Sequence, residues 1–177
     1  LGTEHDSCGI ICIIEKNGHP SRDNIQKTID ALVKMEHRSG FINGEGDGCG
    51  ILTDIPRALW EKKLTDAGLD GKLAYDNRFS VGHIFVPRKL DLTAAEIQNG
   101  IRELFASHDV SIILEQENLV DSGSLGPNGL LDEPTFWQIA GISNKTEGQV
   151  ADHLYELHVA IEARYDVHVA TLSNVTS

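Results

Sequence analysis

The chain begins with an apolar run that is typical of a buried β-strand. Residues 8–14 contain four isoleucines and two cysteines, and the turn-forming residues 16–20 follow them. The next segment predicts an amphipathic helix, because its apolar residues recur at helical spacing. Those residues are Ile25, Ile29, Leu32 and Val33. Ser21 or Asp23 would cap the start of this helix.

A glycine-rich loop and a second apolar run come after the helix. Residues 39–48 contain four glycines and lead into residues 49–55, which predict a short strand closed by Pro56. Residues 57–67 predict a further helix. We expect the apolar side chains of the two predicted strands to form much of the core. They are Ile10, Ile11, Ile13, Ile14, Ile51 and Leu52.

From residue 80 onward the pattern changes to two similar strand–helix–strand units. The first unit is predicted to have strands at residues 81–86 and 110–115, with a helix at residues 94–107 between them. The second is predicted to have strands at residues 136–142 and 167–172, with a helix at residues 147–165 between them. Both helices begin with a capping-box sequence, Thr93-Ala-Ala-Glu96 and Thr146-Glu-Gly-Gln149. Two such units in succession are the split βαβ layout. Residues 121–134, with three glycines and two prolines, are predicted to be the loop between them.

These elements predict a mixed α/β (α+β) protein. A length of 177 residues suffices for one domain with a core, or for one domain with a smaller insertion. Because the chain starts with Leu1 and stops directly after its last predicted strand, we expect it to be a piece of a longer protein. Strand edges exposed at such a break would favour self-association, so a homo-oligomer is one expected assembly.

Composition excludes several classes of function. The net charge of −12 argues against nucleic acid or an anionic membrane as a partner. No apolar run is long enough to span a bilayer, and there is no signal-peptide pattern. The three cysteines show no paired spacing, which predicts a reducing, cytoplasmic compartment.

Cys8 is the strongest candidate for chemistry. It is followed by a glycine and stands at the start of the first predicted strand. If the Ser7–Cys8 bond were cleaved, one residue would carry an α-amine with a pKa of about 8 and a thiol with a pKa of about 8.5. The amine could then act as the base that activates the thiol. The alternative is an ordinary core cysteine with no chemistry.

Other candidate motifs are weaker. Residues 44–50 contain four glycines but lead into a strand rather than a helix, so we exclude a nucleotide-phosphate loop. His37-Arg38 at the helix end either complements the helix dipole or binds a carboxylate. His83 and His168 lie within predicted strands and are interpreted as ordinary, hydrogen-bonded residues. One further set of side chains matches no compact zinc spacing. It comprises His5, Cys8, Cys12, His37 and Cys49.

Three segments taken together carry a resemblance to a known family. They are residues 4–10, His37-Arg38 and residues 46–52. In this order and spacing they resemble the amino-terminal glutamine amidotransferase domain of the large subunit of glutamate synthase. Residues 81–87 and 165–173 are similar to it as well. The resemblance spans essentially the whole chain, which corresponds to roughly the first half of such a domain.

The resemblance implies a fold and a reaction. The family has an N-terminal-nucleophile fold, an αββα sandwich, of which this chain would hold a part. Removal of a propeptide, here residues 1–7, would free Cys8. Its thiolate would attack the side-chain amide of L-glutamine, giving a γ-glutamyl thioester and ammonia, and water would release glutamate. In the parent enzyme the ammonia aminates 2-oxoglutarate at a domain that holds FMN and an iron–sulfur cluster. This chain itself would bind neither cofactor and no metal.

The resemblance also assigns roles and organisation. Cys8 would be catalytic, while Arg38, Asp47 and Gly48 would form the substrate-binding wall of the site. Residues 8–79 would be the first segment of the nucleophile fold, and residues 80–177 the split βαβ subdomain with the final strand.

Departures from the family pattern limit what the isolated chain can do. Ser39-Gly40 follows His37-Arg38 where the family has Gly-Ala. The family's arginine for the glutamine carboxylate and its Asn-Gly oxyanion pair have no counterpart before Ser177. Since one lost oxyanion donor costs about 100- to 1,000-fold in rate, we expect the isolated chain to be inactive. Three alternatives stay open: a non-catalytic interaction or regulatory module, another N-terminal-nucleophile hydrolase, and a partner surface on residues 80–177 alone.

Overall fold

The computed structural model describes residues 9–35, 41–42, 45–46, 48–88, 92–117 and 120–177. The chain divides into two compact units, Leu1–Ile51 and Leu52–Ser177. The division predicted from the resemblance, at residues 7/8 and 79/80, stays a prediction.

In its described residues, the first unit contains one helix and a two-stranded antiparallel ribbon. Helix α1 is Arg22–Lys34, and the ribbon pairs β1 (Phe41–Ile42) with β2 (Glu45–Gly46). Ser21 caps α1 as predicted, because its side chain accepts the backbone N–H of Asn24 at 3.3 Å. The helix has no buried residue. The apolar stripe predicted for it is therefore at the surface of this unit.

The predicted strand at residues 8–14 is wrong for the residues that the structure describes. Residues 9–14 have no regular secondary structure. Ile10 is 93% exposed and Ile14 is 78% exposed, so these two residues form no core. Residues 49–55 form no strand either, apart from an isolated bridge between Asp54 and Thr176. A strand needs a hydrogen-bonded neighbour, and an apolar run does not by itself supply one.

The second unit is built on a four-stranded antiparallel sheet. The strands are β3 (Phe79–Val86), β4 (Val110–Glu117), β5 (Thr135–Ser143) and β6 (His168–Ser173). The helices are α2 (Arg57–Asp66), α3 (Ala94–Ser107), α4 (Pro127–Asp132) and α5 (Val150–Arg164). Single 3-10 turns occupy Gly71–Tyr75, Ser122–Ser124 and Glu147–Gln149.

The strand order confirms the predicted split βαβ layout. The sheet runs β4-β5-β3-β6, so β5 lies between the two strands that α3 connects. Likewise β3 lies between the two strands that α5 connects. Every neighbouring pair is antiparallel, which makes the described architecture α+β.

Strand alternation sends the apolar side chains of the sheet to two cores. Ile84 and Trp137 face α3 and α5, whose buried residues recur at the predicted spacing. Phe79 and Val81 point to the opposite face, where α2 covers them. The buried residues of α3 and α5 include Ile97, Ile101, Phe105, Leu154, Leu157 and Ile161.

Two local predictions in this unit are wrong. Residues 121–134 are not all loop, because Pro127 at the first helical position begins the short helix α4. Thr146 does not form a capping box. Its hydroxyl donates to the Gln149 side chain at 2.8 Å, and a 3-10 turn precedes α5. Thr93 and Glu96 do form the predicted capping box of α3.

Candidate functional site

The described residues include only one of the four site residues that the sequence predicts. Cys8, Arg38 and Asp47 lie outside them. Gly48 is exposed, and a Cβ atom added there would meet nothing within 4 Å. Its role in the wall of a glutamine site stays a prediction.

Gly9, the residue after Cys8, lies against the side chain of Met35 at the end of α1. A Cβ atom added to Gly9 would lie 2.7 Å from Sδ of Met35. Gly9 directly follows Cys8, and Met35 caps the C-terminus of α1 three residues before Arg38. A residue with a side chain would not fit at position 9 unless the Met35 side chain moved.

Two further thiols lie near this region in the sequence. Cys12 and Cys49 are both free and exposed. They differ from Cys8 in standing inside the chain, where no cleavage next to them is predicted. This makes them matched controls for any reaction attributed to Cys8.

Within the described ranges, no three side chains are grouped so that they could hold a metal ion. Nor is any helix in those ranges long and apolar enough to cross a membrane.

A chain of polar side chains crosses the sheet of the second unit on the α2 face. Lys63 of α2 donates to Oε1 of Gln138 at 2.7 Å. Nε2 of Gln138 lies 2.5 Å from Nε2 of His83, and Nδ1 of His83 lies 3.0 Å from the Thr171 hydroxyl. Gln116 also donates to Oε1 of Gln138, at 3.2 Å. Five residues from α2 and all four strands therefore form one connected network.

Both titratable members of this network have shifted pKa values. Burial and the charge of Lys63 lower the pKa of His83 below its ordinary value of 6.5. Burial alone lowers the pKa of Lys63 from its ordinary 10.5. Desolvation disfavours the charged form of each group, so His83 is neutral near pH 7.

Aromatic rings extend the network along the same face of the sheet. The His83 ring stacks on Phe136 at a centroid distance of 5.4 Å. The ring centroids of Phe136 and Phe85 are 4.9 Å apart, and Phe85 stacks on His168 at a centroid distance of 6.1 Å. His83 is hydrogen-bonded, as the sequence interpretation expected, but the sequence did not reveal its partners. The alternation of β3 and β5 is the one signal that could have placed His83 and Gln138 on a common face.

An open groove of about 630 Å³ lies at the other end of this unit, lined by Asp54, Arg57, Asn77, Glu147 and Asn174 among others. The guanidinium of Arg57 donates to two main-chain oxygens, that of Ala74 at 2.8 Å and that of Asn174 at 2.6 Å. It holds the groove wall together, and the structure gives it no role toward an anion.

Comparison with known proteins decides the family. The model of the family described as glutamine amidotransferases class-II matches residues 8–176. The chain belongs to this family.

Curated relatives of this class-II amidotransferase chain are glutamate synthases. The ferredoxin-dependent glutamate synthase of Cyanidium caldarium is 30% identical over 176 residues, which cover 94% of this chain and 11% of the relative. The ferredoxin-dependent glutamate synthase 2 of Synechocystis sp. is 29% identical over 157 residues, or 87% of this chain and 10% of the relative. The glutamate synthase [NADH] of Saccharomyces cerevisiae is 30% identical over 139 residues, or 76% of this chain and 6% of the relative.

These matches confirm the resemblance drawn from the sequence motifs. They also define its extent, since the chain spans roughly a tenth or less of the length of these three relatives. What the whole relatives do is therefore carried over to this chain only as a proposal.

Proposed function

We propose that this chain is the first part of a glutaminase domain in a glutamate-synthase-like protein. In this proposal Cys8, once residues 1–7 have been removed, attacks the side-chain amide of L-glutamine. The observation that carries it is the position of the family match, which begins at Cys8 itself and leaves residues 1–7 outside.

The proposed chemistry follows from having an amine and a thiol on one residue. The α-amine of a freed Cys8 takes the thiol proton, and the thiolate adds to the amide carbon of glutamine. The C–N bond breaks, the amine returns the proton to the leaving nitrogen, and ammonia departs. Water then attacks the resulting thioester, which releases glutamate and restores the thiol.

The contact between Gly9 and Met35 supports a role for Arg38 in the same site. Gly9 is bonded to Cys8, and Met35 is three residues before Arg38. A guanidinium near the nucleophile would bind the carboxylate of an amino-acid substrate through two parallel hydrogen bonds. Asp47 and Gly48, from the glycine-rich loop, would complete the wall.

The fold proposal is that the sheet of the second unit is one layer of an αββα sandwich. Helices α3 and α5 cover one face of this sheet, and α2 covers part of the other. A sandwich needs a second sheet on that other face. The remaining domain of the longer parent would supply most of that second sheet.

The reaction of the parent is also part of the proposal. Ammonia released at Cys8 would aminate 2-oxoglutarate in other domains, where FMN and an iron–sulfur cluster would be bound. No residue of this chain is assigned to either group. We place the parent in the cytoplasm, with these further domains as partners of the chain.

The experiment uses the longer parent protein and a glutamine analogue that carries a diazoketone electrophile. The intact mass is measured before and after exposure, and the adduct is mapped by peptide sequencing. We expect a chain that begins at Cys8 and one adduct on its thiol. Cys12→Ala and Cys49→Ala should leave labelling and glutaminase activity unchanged, while Cys8→Ser should abolish both.

Two results would contradict the proposal. A parent that keeps residues 1–7 and takes up no adduct would instead identify a non-catalytic module. A parent that is labelled on Cys8 but hydrolyses other amides in preference to glutamine would identify a different N-terminal-nucleophile hydrolase.

A further inference from the structure

We propose that His83 is a pH-sensitive latch that fastens α2 to the sheet, closed when its ring is neutral and opened when Nε2 takes up a proton. The latch comprises Lys63, Gln138, His83 and Thr171. It does not rest on the proposed glutaminase activity, because it uses none of the residues assigned to that site, which are Cys8, Arg38, Asp47 and Gly48.

The direction of each hydrogen bond is set by Lys63. An ammonium group can only donate, so Lys63 requires the oxygen of the Gln138 amide. That oxygen accepts Nζ of Lys63 at 2.7 Å, which turns the amide nitrogen toward Nε2 of His83. The amide nitrogen can only donate, so Nε2 must accept. The ring proton then resides on Nδ1, from which it is donated to Thr171 at 3.0 Å.

A second proton on the ring cannot be accommodated in this arrangement. With Nε2 protonated, two donors would face each other across 2.5 Å. Rotating the Gln138 amide would satisfy His83 but would place its nitrogen against the Lys63 ammonium. Without that rotation, the hydrogen bond between Gln138 and His83 is lost. With it, Lys63 loses its acceptor, and this second arrangement is the open latch.

Each element packed around the His83 ring contributes a group that faces either this ring or Gln138. The charged group is Lys63 from α2. The other elements contribute uncharged groups: Gln138 and Phe136 from β5, Thr171 from β6 and, through Gln138, Gln116 from β4. Lys63 and burial both disfavour a charged ring, which places opening of the latch below the ordinary histidine pKa of 6.5.

Opening of the latch is local. Trp60 and Leu64 keep α2 on the sheet through their contacts in the apolar core, so the helix does not leave when Lys63 is released. What is lost is the hydrogen bond from Lys63, in the last turn of α2, to Gln138 of β5. The C-terminal turn of α2 then opens more often.

The test is amide hydrogen exchange on the 177-residue chain, measured between pH 7.5 and 5 and corrected for intrinsic rates, with the His83 ring followed by NMR. We expect protection of the last turn of α2 to fall about tenfold as the ring becomes charged, corresponding to one charge-assisted hydrogen bond. Protection in α3 should stay unchanged. His83→Gln keeps an acceptor but cannot titrate, so its α2 protection should not depend on pH.

Controls keep the outcome unambiguous. His168→Gln, on the exposed end of the same face, should retain the wild-type pH dependence. Lys63→Met should show low α2 protection at every pH, and it replaces His83→Gln if that variant does not fold. The latch is overturned if the His83 ring titrates while α2 protection stays constant. It is equally overturned if His83→Gln shows the wild-type loss.

Discussion

The guanidinium of Arg57 donates to the main-chain oxygen of Asn174 at 2.6 Å, and so joins two residues 117 positions apart in the chain. The same group donates to the main-chain oxygens of Ala74, at 2.8 Å, and of Asp76, at 3.4 Å. One side chain thereby connects the start of α2, the turn that precedes β3, and the segment after β6. Burial of the guanidinium lowers the pKa of Arg57, while the nearby Asp76 carboxylate raises it.

Arg57→Lys tests how much this connection contributes to stability. Lysine keeps the charge but cannot reach three carbonyl oxygens in a planar array. We expect a loss of about 2 kcal/mol in the free energy of unfolding, measured by urea denaturation. The control is Lys62→Met, which removes an exposed ion pair with Asp66 and should cost less than about 0.5 kcal/mol. Equal effects of the two substitutions would show that Arg57 acts only as a surface charge.

Gly100→Ala tests the packing of α3 against the end of α5. A Cβ atom at this position would overlap the Tyr165 hydroxyl and lie 2.6 Å from Cζ of that ring. Alanine favours the helix by about 1 kcal/mol, but overpacking costs about 1–3 kcal/mol. We expect a net loss of about 1 kcal/mol, measured by thermal or urea unfolding.

The sign of this effect should invert when the ring is removed. In a Tyr165→Leu background, Gly100→Ala should stabilise the protein by up to about 1 kcal/mol, because only helix propensity remains. Gly148→Ala is the control, since a Cβ atom there meets nothing within 4 Å. Destabilisation by Gly100→Ala in both backgrounds would contradict the proposed clash with Tyr165.

The two capping-box sequences provide a matched pair of threonines. Thr93 accepts the backbone N–H of Glu96 at 3.3 Å, and the Glu96 carboxylate accepts the backbone N–H of Thr93 at 2.8 Å. At Thr146 the hydroxyl donates to the Gln149 side chain instead and makes no capping hydrogen bond to the backbone. Thr93→Ala should therefore cost about 1 kcal/mol in unfolding free energy, and Thr146→Ala only a few tenths. If both substitutions cost the same, the difference between the two helix starts would be refuted.

The elements that the sequence predicted correctly are those that the local pattern of apolar residues determines. Helix α3 spans the predicted residues, and α5 lies within its predicted span, because apolar residues at a period of 3.6 must share one face. The order of the two strand–helix–strand units then restricts the sheet to few topologies, and the observed one is the split layout. Cys8 was also identified from a local motif, one of seven residues, and its role as the nucleophile stays a prediction.

What the sequence did not predict depends on contacts between distant segments. The isoleucines of residues 9–14 have the composition of a strand, but composition does not specify a partner, and Ile10 is 93% exposed. The network of Lys63, Gln138 and His83 joins residues up to 75 positions apart in the chain. No spacing rule relates such positions until strand order and register are known.

We expect Glu162 to protect the outer edge of the sheet, and its charge to make that protection dependent on pH. The carboxylate of this α5 residue accepts the backbone N–H of Val169 in the edge strand β6 at 2.8 Å. His158 and His168 lie within 3.6 Å of the same carboxylate. The pKa of Glu162 is lowered from its ordinary 4.5, mainly by the hydrogen bond from the Val169 N–H and also by the two histidines. Burial opposes this shift.

A lowered pKa in the folded state means that Glu162 stabilises the fold fully above pH 4.5, and that this contribution is lost as the pH falls through the folded-state pKa. Glu162→Gln keeps an acceptor for Val169 but carries no charge, so it should remove this part of the acid dependence and preserve most of the amide protection. Glu162→Ala should also speed exchange of the Val169 amide, because the edge N–H then has no side-chain partner. Amide exchange and urea unfolding between pH 7 and 3 measure both effects. Unchanged Val169 exchange in Glu162→Ala would mean that the carboxylate does not protect the edge in solution.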